Sequence, residues 1–111
     1  MKPEDKLRKV IAGIEAYEPE RAILFGSYAR GDADEYSDLD VVVVKRTEKR
    51  FFDRAIELAG LIKPNFALDV LVYTPEEVEQ MLQEGNSFLE NIFSKGKVIY
   101  ERPERRSQEV A

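Results

Sequence analysis

Two residue types that often carry chemistry are missing, because the 111-residue chain contains no cysteine and no histidine. Their absence excludes disulfides, thiolate zinc sites, cysteine nucleophiles, histidine general bases and Ser-His-Asp triads within this chain. Any metal or acid–base chemistry must therefore use carboxylates, of which the sequence has 22 on Asp and Glu. A site built from carboxylates favours a hard cation such as Mg²⁺ or Mn²⁺ over zinc.

The chain also lacks a hydrophobic run that approaches the roughly 20 residues of a membrane span. No apolar stretch follows the charges of MKPEDKLRKV at the N-terminus, as a secretory signal would require. The formal net charge of −5 argues against nonspecific nucleic-acid binding, because phosphate backbones are held by clustered Lys and Arg. We therefore expect a cytoplasmic protein with no membrane contact and no direct nucleic-acid binding.

The length predicts one domain, over residues 1–101, followed by a flexible C-terminal tail at 102–111 that lacks apolar periodicity. A domain of this size leaves no separate lobe for a second substrate. A fully enclosed active site would therefore need a second chain, supplied by a homo- or hetero-oligomer.

Helical and strand patterns alternate, which predicts an α/β (α+β) domain with a small mixed β-sheet flanked by helices. One helix is expected over 4–17, and another is expected to begin at a Thr47 cap and to end at Pro64. A further helix is expected to start with a Thr74–Glu77 capping box, and one more to start with a Ser87–Glu90 capping box and to run through Phe93. The strands are expected over 21–26, 38–44, 66–73 and, as an edge strand, 97–100.

The connections between the strands predict which of them are neighbours. The short link between the first and second strands suits antiparallel pairing, which puts Gly26 and Ser27 beside Asp38 and Asp40. A full helix separates the second strand from the third, so these two are expected to be parallel and joined by a right-handed crossover. Asp69, near the start of the third strand, then lies level with the aspartate pair.

Asp38, Asp40 and Asp69 form a candidate metal site. Side chains at positions i and i+2 of a strand share a face, so the first two point the same way, about 6 to 7 Å apart along the backbone. With Asp69 beside them, three carboxylates would converge, repel one another and raise their own pKa values. Divalent cations relieve such repulsion, and metal pairs about 3.5 to 4 Å apart commonly serve in-line displacement at phosphorus.

Gly26 and Ser27 form a candidate phosphate-binding turn. Ser27 lies where the first strand turns into a short helix, expected at 27–30, whose exposed N–H groups would attract a phosphate. Gly26 would let the backbone approach a ligand closely. Arg30 would share that helix face and reach the same phosphates, although an exposed arginine without a ligand is an equally good interpretation.

Each feature also has an interpretation without a ligand. A Gly-Ser at a strand end is usually a turn, DADEYSD would be an acidic loop, and Asp69 would be a strand residue facing solvent. The stretch is not an EF-hand, because counting from Asp32 puts Ser37 at the essential glycine and Val43 at the closing glutamate. It is not a Walker A loop either, since no Gly-Lys-Ser or Gly-Lys-Thr occurs. The combination of an acidic cluster with a facing Gly-Ser turn favours a functional site.

The stretch GSYARGDADEYSDLDVVV resembles the signature of the minimal nucleotidyltransferases, small members of the DNA polymerase beta superfamily. That signature is Gly-Ser, ten residues and then Asp-x-Asp, and here residues 28–37 separate Ser27 from Asp38. Ala29, Arg30, Gly31, Ala33 and Ser37 also fit the pattern. The order of predicted elements, together with Asp69, extends the likeness over most of the chain.

The resemblance implies the nucleotidyltransferase fold and transfer of a nucleoside monophosphate from an NTP to a hydroxyl group, with release of pyrophosphate. Asp38 and Asp40 would hold two Mg²⁺ ions, with Mn²⁺ as an alternative. Asp69 would complete one metal site and help deprotonate the acceptor, and Gly26 with Ser27 would hold the triphosphate.

Minimal proteins of this family are commonly paired with a HEPN-domain toxin, a ribonuclease that they neutralise as antitoxins by adenylylating one of its tyrosines. The resemblance therefore implies an ATP- and Mg²⁺-dependent protein adenylyltransferase. Two alternatives stay open: transfer to a small hydroxylated molecule such as an aminoglycoside, and a non-catalytic antitoxin that neutralises its partner by covering it. The sequence identifies no base preference.

Overall fold

The computed structural model describes residues 1–103 and shows a mixed α/β domain. Residues 104–111, which make up most of the predicted tail, lie outside the described part. None of the helices in residues 1–103 combines the length and apolar character needed to cross a membrane. In chain order the elements are α1 (Pro3–Tyr17), β1 (Arg21–Phe25), α2 (Ser27–Arg30), β2 (Leu39–Val44), α3 (Phe51–Ile62), β3 (Leu68–Tyr73), α4 (Pro75–Gln83), α5 (Ser87–Lys95) and β4 (Lys97–Glu101).

The four strands form one sheet in the order β3-β2-β1-β4. β1 pairs antiparallel with both β2 and β4, whereas β2 pairs parallel with β3. The predicted fold class, the antiparallel and parallel pairings, and the edge position of the last strand are all confirmed. This topology brings the end of β1 and the starts of β2 and β3 to the same edge of the sheet.

Helices cover both faces of the sheet, and this explains the four consecutive valines of β2. Val41 and Val43 point into a core that α1 and α3 cover, while Val42 points into a second core beneath α5. Side chains alternate between the faces of a strand, so only a strand covered on both sides can bury such an unbroken apolar run. The first core also contains Val10, Ile14, Leu24, Leu58, Ile62 and Val72, and the second contains Ile23, Leu89 and Ile92.

Two helix starts differ from the sequence prediction. α3 begins after Arg50 with no side-chain cap, and the Thr47 hydroxyl instead accepts a hydrogen bond from the Lys49 N–H (3.1 Å) in the preceding loop. α5 is capped by Asn86, whose side chain accepts from the Leu89 N–H (2.9 Å). The predicted Thr47 and Ser87 caps were therefore wrong. α3 begins four residues beyond Thr47 without a side-chain cap, and Ser87 follows Asn86, which is an equally good capping residue. The predicted capping box at the start of α4 is confirmed.

Arg54 on α3 joins three segments of the chain. Its guanidinium is almost fully buried and makes two parallel bonds to the Glu77 carboxylate, at 2.7 and 3.1 Å. It also donates to the carbonyls of Lys49 (2.8 Å) and Val72 (3.1 Å). Glu77 in turn accepts the Thr74 N–H at 2.9 Å, completing the α4 cap. Hydrogen bonding to Arg54 is the main reason that the pKa of Glu77 lies below its ordinary value.

We expect Glu77→Ala to destabilise the fold by about 2 kcal/mol, because it leaves a buried guanidinium without its carboxylate and removes half of a capping box. Urea denaturation followed by circular dichroism measures this change. Glu76→Ala is the matched control, since Glu76 is exposed and its ion pair within residues 1–103 is with the exposed Arg46. Equal denaturation midpoints for the two variants would contradict a structural role for the Arg54–Glu77 pair.

Candidate active site

Gly26 makes the turn between β1 and α2. Its backbone has φ +72° and ψ −150°, a conformation that favours glycine, and no side chain caps the first turn of α2. A Cβ atom at this position would overlap the Oδ2 atom of Asp40. The carboxyl group of Asp40 therefore packs directly against the backbone of the Gly-Ser turn, as the predicted antiparallel pairing requires.

Asp40 lies in the middle of the site. It is the register partner of Phe25 on β1 and of Asp69 on β3, so all three residues share the face that α5 covers. The pKa of Asp40 is raised to about 6, first by burial, then by a hydrogen bond with the Asp69 carboxyl and by the negative charges of Asp69 and Asp38. Asp40 therefore loses its proton less readily than an ordinary aspartate does in the metal-free protein.

Asp38 lies just before β2 and is exposed. The loop before it is organised by Asp34, whose carboxylate accepts the Tyr36 N–H (2.9 Å) and the Ser37 hydroxyl (3.1 Å). Among residues 1–103 no three acidic side chains are grouped closely enough to form a ready-made metal centre. The structure thus brings Asp40 and Asp69 into contact, and places Asp38 close enough to act on Asp40 through its charge.

The donor set fits a hard divalent cation. Each candidate ligand offers carboxylate oxygens, the ligand type that Mg²⁺ and Mn²⁺ prefer. Burial is the main reason that the pKa of Asp40 is raised, and the negative charges of Asp69 and Asp38 add to it; a bound cation would favour the ionised carboxylate. Asp40 and Asp69 are the most closely assembled pair for such an ion.

Ser27 and Arg30 both lie on α2, at the edge where the carboxylates lie. Arg30 is exposed, and its Nε atom forms an ion pair with Asp32 at 3.3 Å. Its positive charge acts on Asp40 in the direction that lowers the pKa of that carboxyl. Arg30 therefore lies at the same edge as the carboxylates, and its charge acts on Asp40.

Lys6 on α1 is a contributor that the sequence reasoning missed. Its side chain is buried, and its ammonium group donates to the carbonyls of Glu35 (2.7 Å) and Ser37 (3.5 Å) in the loop before Asp38. The same ammonium lies 5.9 Å from the centre of the Phe66 ring, in the segment before β3. An apolar face of α1 predicts a core helix, and nothing in the sequence marks this lysine as buried.

A cleft of about 340 Å³ opens between α2 and α5 beside Gly26. Gly26 and Arg30 lie on one side of it, and Phe88, Asn91 and Lys95 of α5 lie on the other. The spacing of these three residues puts them on one helix face, but only the tertiary structure brings that face to the Gly-Ser turn. A larger open groove of about 660 Å³ lies at the other end of β1 and β2, and none of the predicted site residues lines it.

The chain is similar in sequence to two proteins of Methanocaldococcus jannaschii, each named "Putative protein adenylyltransferase". The first is 35% identical over 82 residues, which are 72% of this chain and 77% of the relative. The second is 36% identical over 84 residues, which are 72% of this chain and 57% of the relative.

Two solved structures have a similar fold. One is described as a putative nucleotidyltransferase from Sulfolobus solfataricus, with a TM-score of 0.55 and 24% identity, covering 89% of this chain and 86% of the other. The second is described as a toxin–antitoxin with AMP-PNP, with a TM-score of 0.51 and 20% identity, covering 97% of this chain and 79% of the other. At these identities the likeness is one of fold.

Residues 8–105 match the sequence model of the family described as "Polymerase beta, Nucleotidyltransferase". The match spans most of the chain and includes the Gly-Ser turn and all three aspartates. The sequence resemblance, the sheet topology and this match agree, and the chain belongs to the polymerase beta-type nucleotidyltransferase family.

Proposed function

We propose that the protein transfers AMP from ATP to a tyrosine hydroxyl of a partner HEPN ribonuclease and thereby acts as its antitoxin. The observation that carries this proposal is the packing of the Asp40 carboxyl against the Gly26 turn, in register with Asp69. That arrangement puts a carboxylate pair for a cation beside a turn for phosphates. The names of the M. jannaschii relatives support adenylyl transfer to a protein.

Each site residue then has a role. Asp38 and Asp40 would hold two Mg²⁺ ions, for which Mn²⁺ can substitute, and Asp69 would complete one of the two sites. When bound, the ions supply positive charge that stabilises the phosphoryl oxygens. Gly26 and Ser27 hold the triphosphate, and Arg30 adds a positive charge from the same helix turn.

The transfer itself is an in-line displacement. The acceptor hydroxyl oxygen bonds to the α-phosphorus, the bond from that phosphorus to the bridging oxygen breaks, and pyrophosphate leaves with the electron pair. The hydroxyl proton passes to the Asp69 carboxylate. Asp69 suits this role because its side chain is exposed at the edge of the sheet, where an acceptor can approach.

The exposure of the site favours an acceptor carried on another protein. Asp38 and Asp69 are both exposed, so a tyrosine on a folded partner can reach them without entering a channel. The HEPN identity of the partner rests on the family resemblance. Transfer to a small hydroxylated molecule is the weaker alternative, because such an acceptor would need its own pocket beside the carboxylates.

We expect the wild-type protein, given ATP labelled at the α-phosphate and Mg²⁺, to label its candidate HEPN partner on tyrosine. Asp38→Asn and Asp40→Asn should each slow labelling by about 100-fold or more, since each removes a metal ligand, and even outer-shell changes at metal sites cost about 10- to 100-fold. Glu35→Gln, in the same exposed loop, is the matched control and should label normally. Mass spectrometry identifies the modified residue.

Other outcomes separate the alternatives. Absence of label on the partner, from protein that does bind ATP, would exclude adenylylation of that partner. Label from the γ-phosphate would indicate a phosphotransferase. If an Asp38→Ala, Asp40→Ala double variant neutralises the toxin in cells as well as wild type does, the protein acts by binding and transfer is dispensable.

Metal affinity should rise with pH through about 6, the raised pKa of Asp40. Below this pH the carboxyl is protonated, and a cation must displace the proton, which weakens binding by up to about tenfold per pH unit. The same raised pKa makes metal-free folding more favourable at low pH, and this contribution is lost as pH rises through about 6. Mn²⁺ titration by electron paramagnetic resonance at pH 5, 6 and 7 measures the affinity.

Asp40→Asn is the control for this titration and should bind Mn²⁺ weakly, with less dependence on pH. Equal Mn²⁺ affinity of the wild type at pH 5 and pH 7 would contradict a role for Asp40 as a ligand.

A further inference from the structure

The cleft between α2 and α5, described above, has two positively charged walls. Arg30 and Gly26 lie on the α2 side and Lys95 lies on the α5 side. None of the ion pairs among residues 1–103 involves Lys95, while Arg30 has only the exposed Asp32. Two cations therefore face one small cleft in a protein whose formal net charge is −5.

The rest of the cleft is less polar. Phe88 of α5 packs edge-to-face against Phe25, with ring centres 5.4 Å apart, and Phe88 remains partly exposed. Gly26 lines the cleft, and the Asp40 carboxyl packs against the backbone of Gly26, so the cleft lies next to Asp40 although the carboxylates do not line it. A mostly apolar cleft with a few placed charges is the usual form of a small-molecule site, and its volume lies at the small end of the common range of about 300 to 1,000 Å³.

We propose that the phosphates of the nucleotide lie in this cleft, between Arg30 and Lys95, and that Lys95 is a phosphate-binding residue supplied by α5. This inference rests on the proposed function and extends it, because it adds a residue of α5 to the proposed nucleotide site. An anion of several negative charges would satisfy both cations, and it would lie close to Asp40, one of the residues that would hold a divalent ion. Lys95 then binds pyrophosphate through the reaction until release.

The experiment compares Lys95→Ala with Lys97→Ala, a matched control two residues away whose side chain is exposed and does not line the cleft. Isothermal titration calorimetry measures binding of ATP, inorganic tripolyphosphate and adenosine to each full-length variant with Mg²⁺ present. We expect Lys95→Ala to weaken the binding of ATP and of tripolyphosphate by about tenfold, because one charge-assisted contact is lost. The affinity for adenosine should not change. Lys95→Arg should retain most of the affinity.

Two results would overturn the assignment. Unchanged ATP and tripolyphosphate affinity in Lys95→Ala would mean that Lys95 touches no phosphate. An equal loss for adenosine and ATP would mean that the contact is with the nucleoside. Both results leave the proposed function intact, whereas failure of the wild type to bind ATP at all would contradict the proposed function itself.

A second inference comes from Lys6, on the opposite face of the sheet. Its buried ammonium has no acidic partner within ion-pair distance among residues 1–103 and is held instead by the two loop carbonyls before Asp38. Burying a charge without a counter-charge costs free energy, and the hydrogen bonds from Lys6 to the two carbonyls offset part of that cost. Lys6 also lies against Phe66, two residues before β3 and three before Asp69.

We infer that Lys6 is a positioning residue that holds the Asp38 loop at a fixed place relative to β3 and Asp69. It touches neither substrate nor metal in this arrangement. Lys6→Met keeps the length and apolar stem of the side chain but removes the donor, so the loop loses two hydrogen bonds while the core stays filled.

Mn²⁺ affinity, measured with a non-hydrolysable ATP analogue, tests this inference, with Lys9→Met on the same helix as the control. We expect Lys6→Met to lower the affinity for Mn²⁺ by about tenfold. In an Asp38→Asn background the same change should have little further effect, because residues that act through one another are not additive. A loss of thermal stability with unchanged Mn²⁺ affinity, or full additivity with Asp38→Asn, would overturn the inference.

Discussion

The parallel pairing of β2 with β3 is the constraint on which the site depends, because it sets Asp40 directly beside Asp69. Two ionised carboxylates in register repel each other, and the register holds their Cα atoms on neighbouring strands. The strands are fixed by the cores on both faces of the sheet, since a slip of one residue would turn Val42 and Val43 to the wrong sides. The free energy that holds the repelling pair together is therefore supplied by apolar packing.

Two buried cations attach the surrounding loops to this sheet. Lys6 holds the loop that enters β2, and Arg54 holds the segment before α3 and the end of β3 through backbone carbonyls. Arg54 has a carboxylate partner in Glu77, whereas Lys6 is satisfied by carbonyls and an aromatic ring. Arg54 secures the end of the sheet that is remote from the carboxylates, and Lys6 secures the end at which they lie.

Much of this architecture follows from the sequence, because the patterns involved are local. The valine run of β2 predicted a strand covered on both faces, and connection lengths predicted the pairings that bring Asp40 to Gly26 and Asp69. The helix caps were less predictable, since α3 begins without a side-chain cap and the adjacent Asn86 and Ser87 can each cap α5. The burial of Lys6 and the position of Lys95 opposite α2 could not be predicted, because both depend on how whole helices pack.

The overlap between a Cβ at position 26 and the Asp40 carboxyl has an evolutionary consequence. The backbone of the Gly-Ser turn and the Asp40 carboxyl lie so close together that neither position can change alone. A larger residue at 26 would require a shorter one at 40, and a longer acid at 40 would press on the turn. Single substitutions can therefore accumulate at the exposed residues of this edge, while this interior contact resists stepwise change.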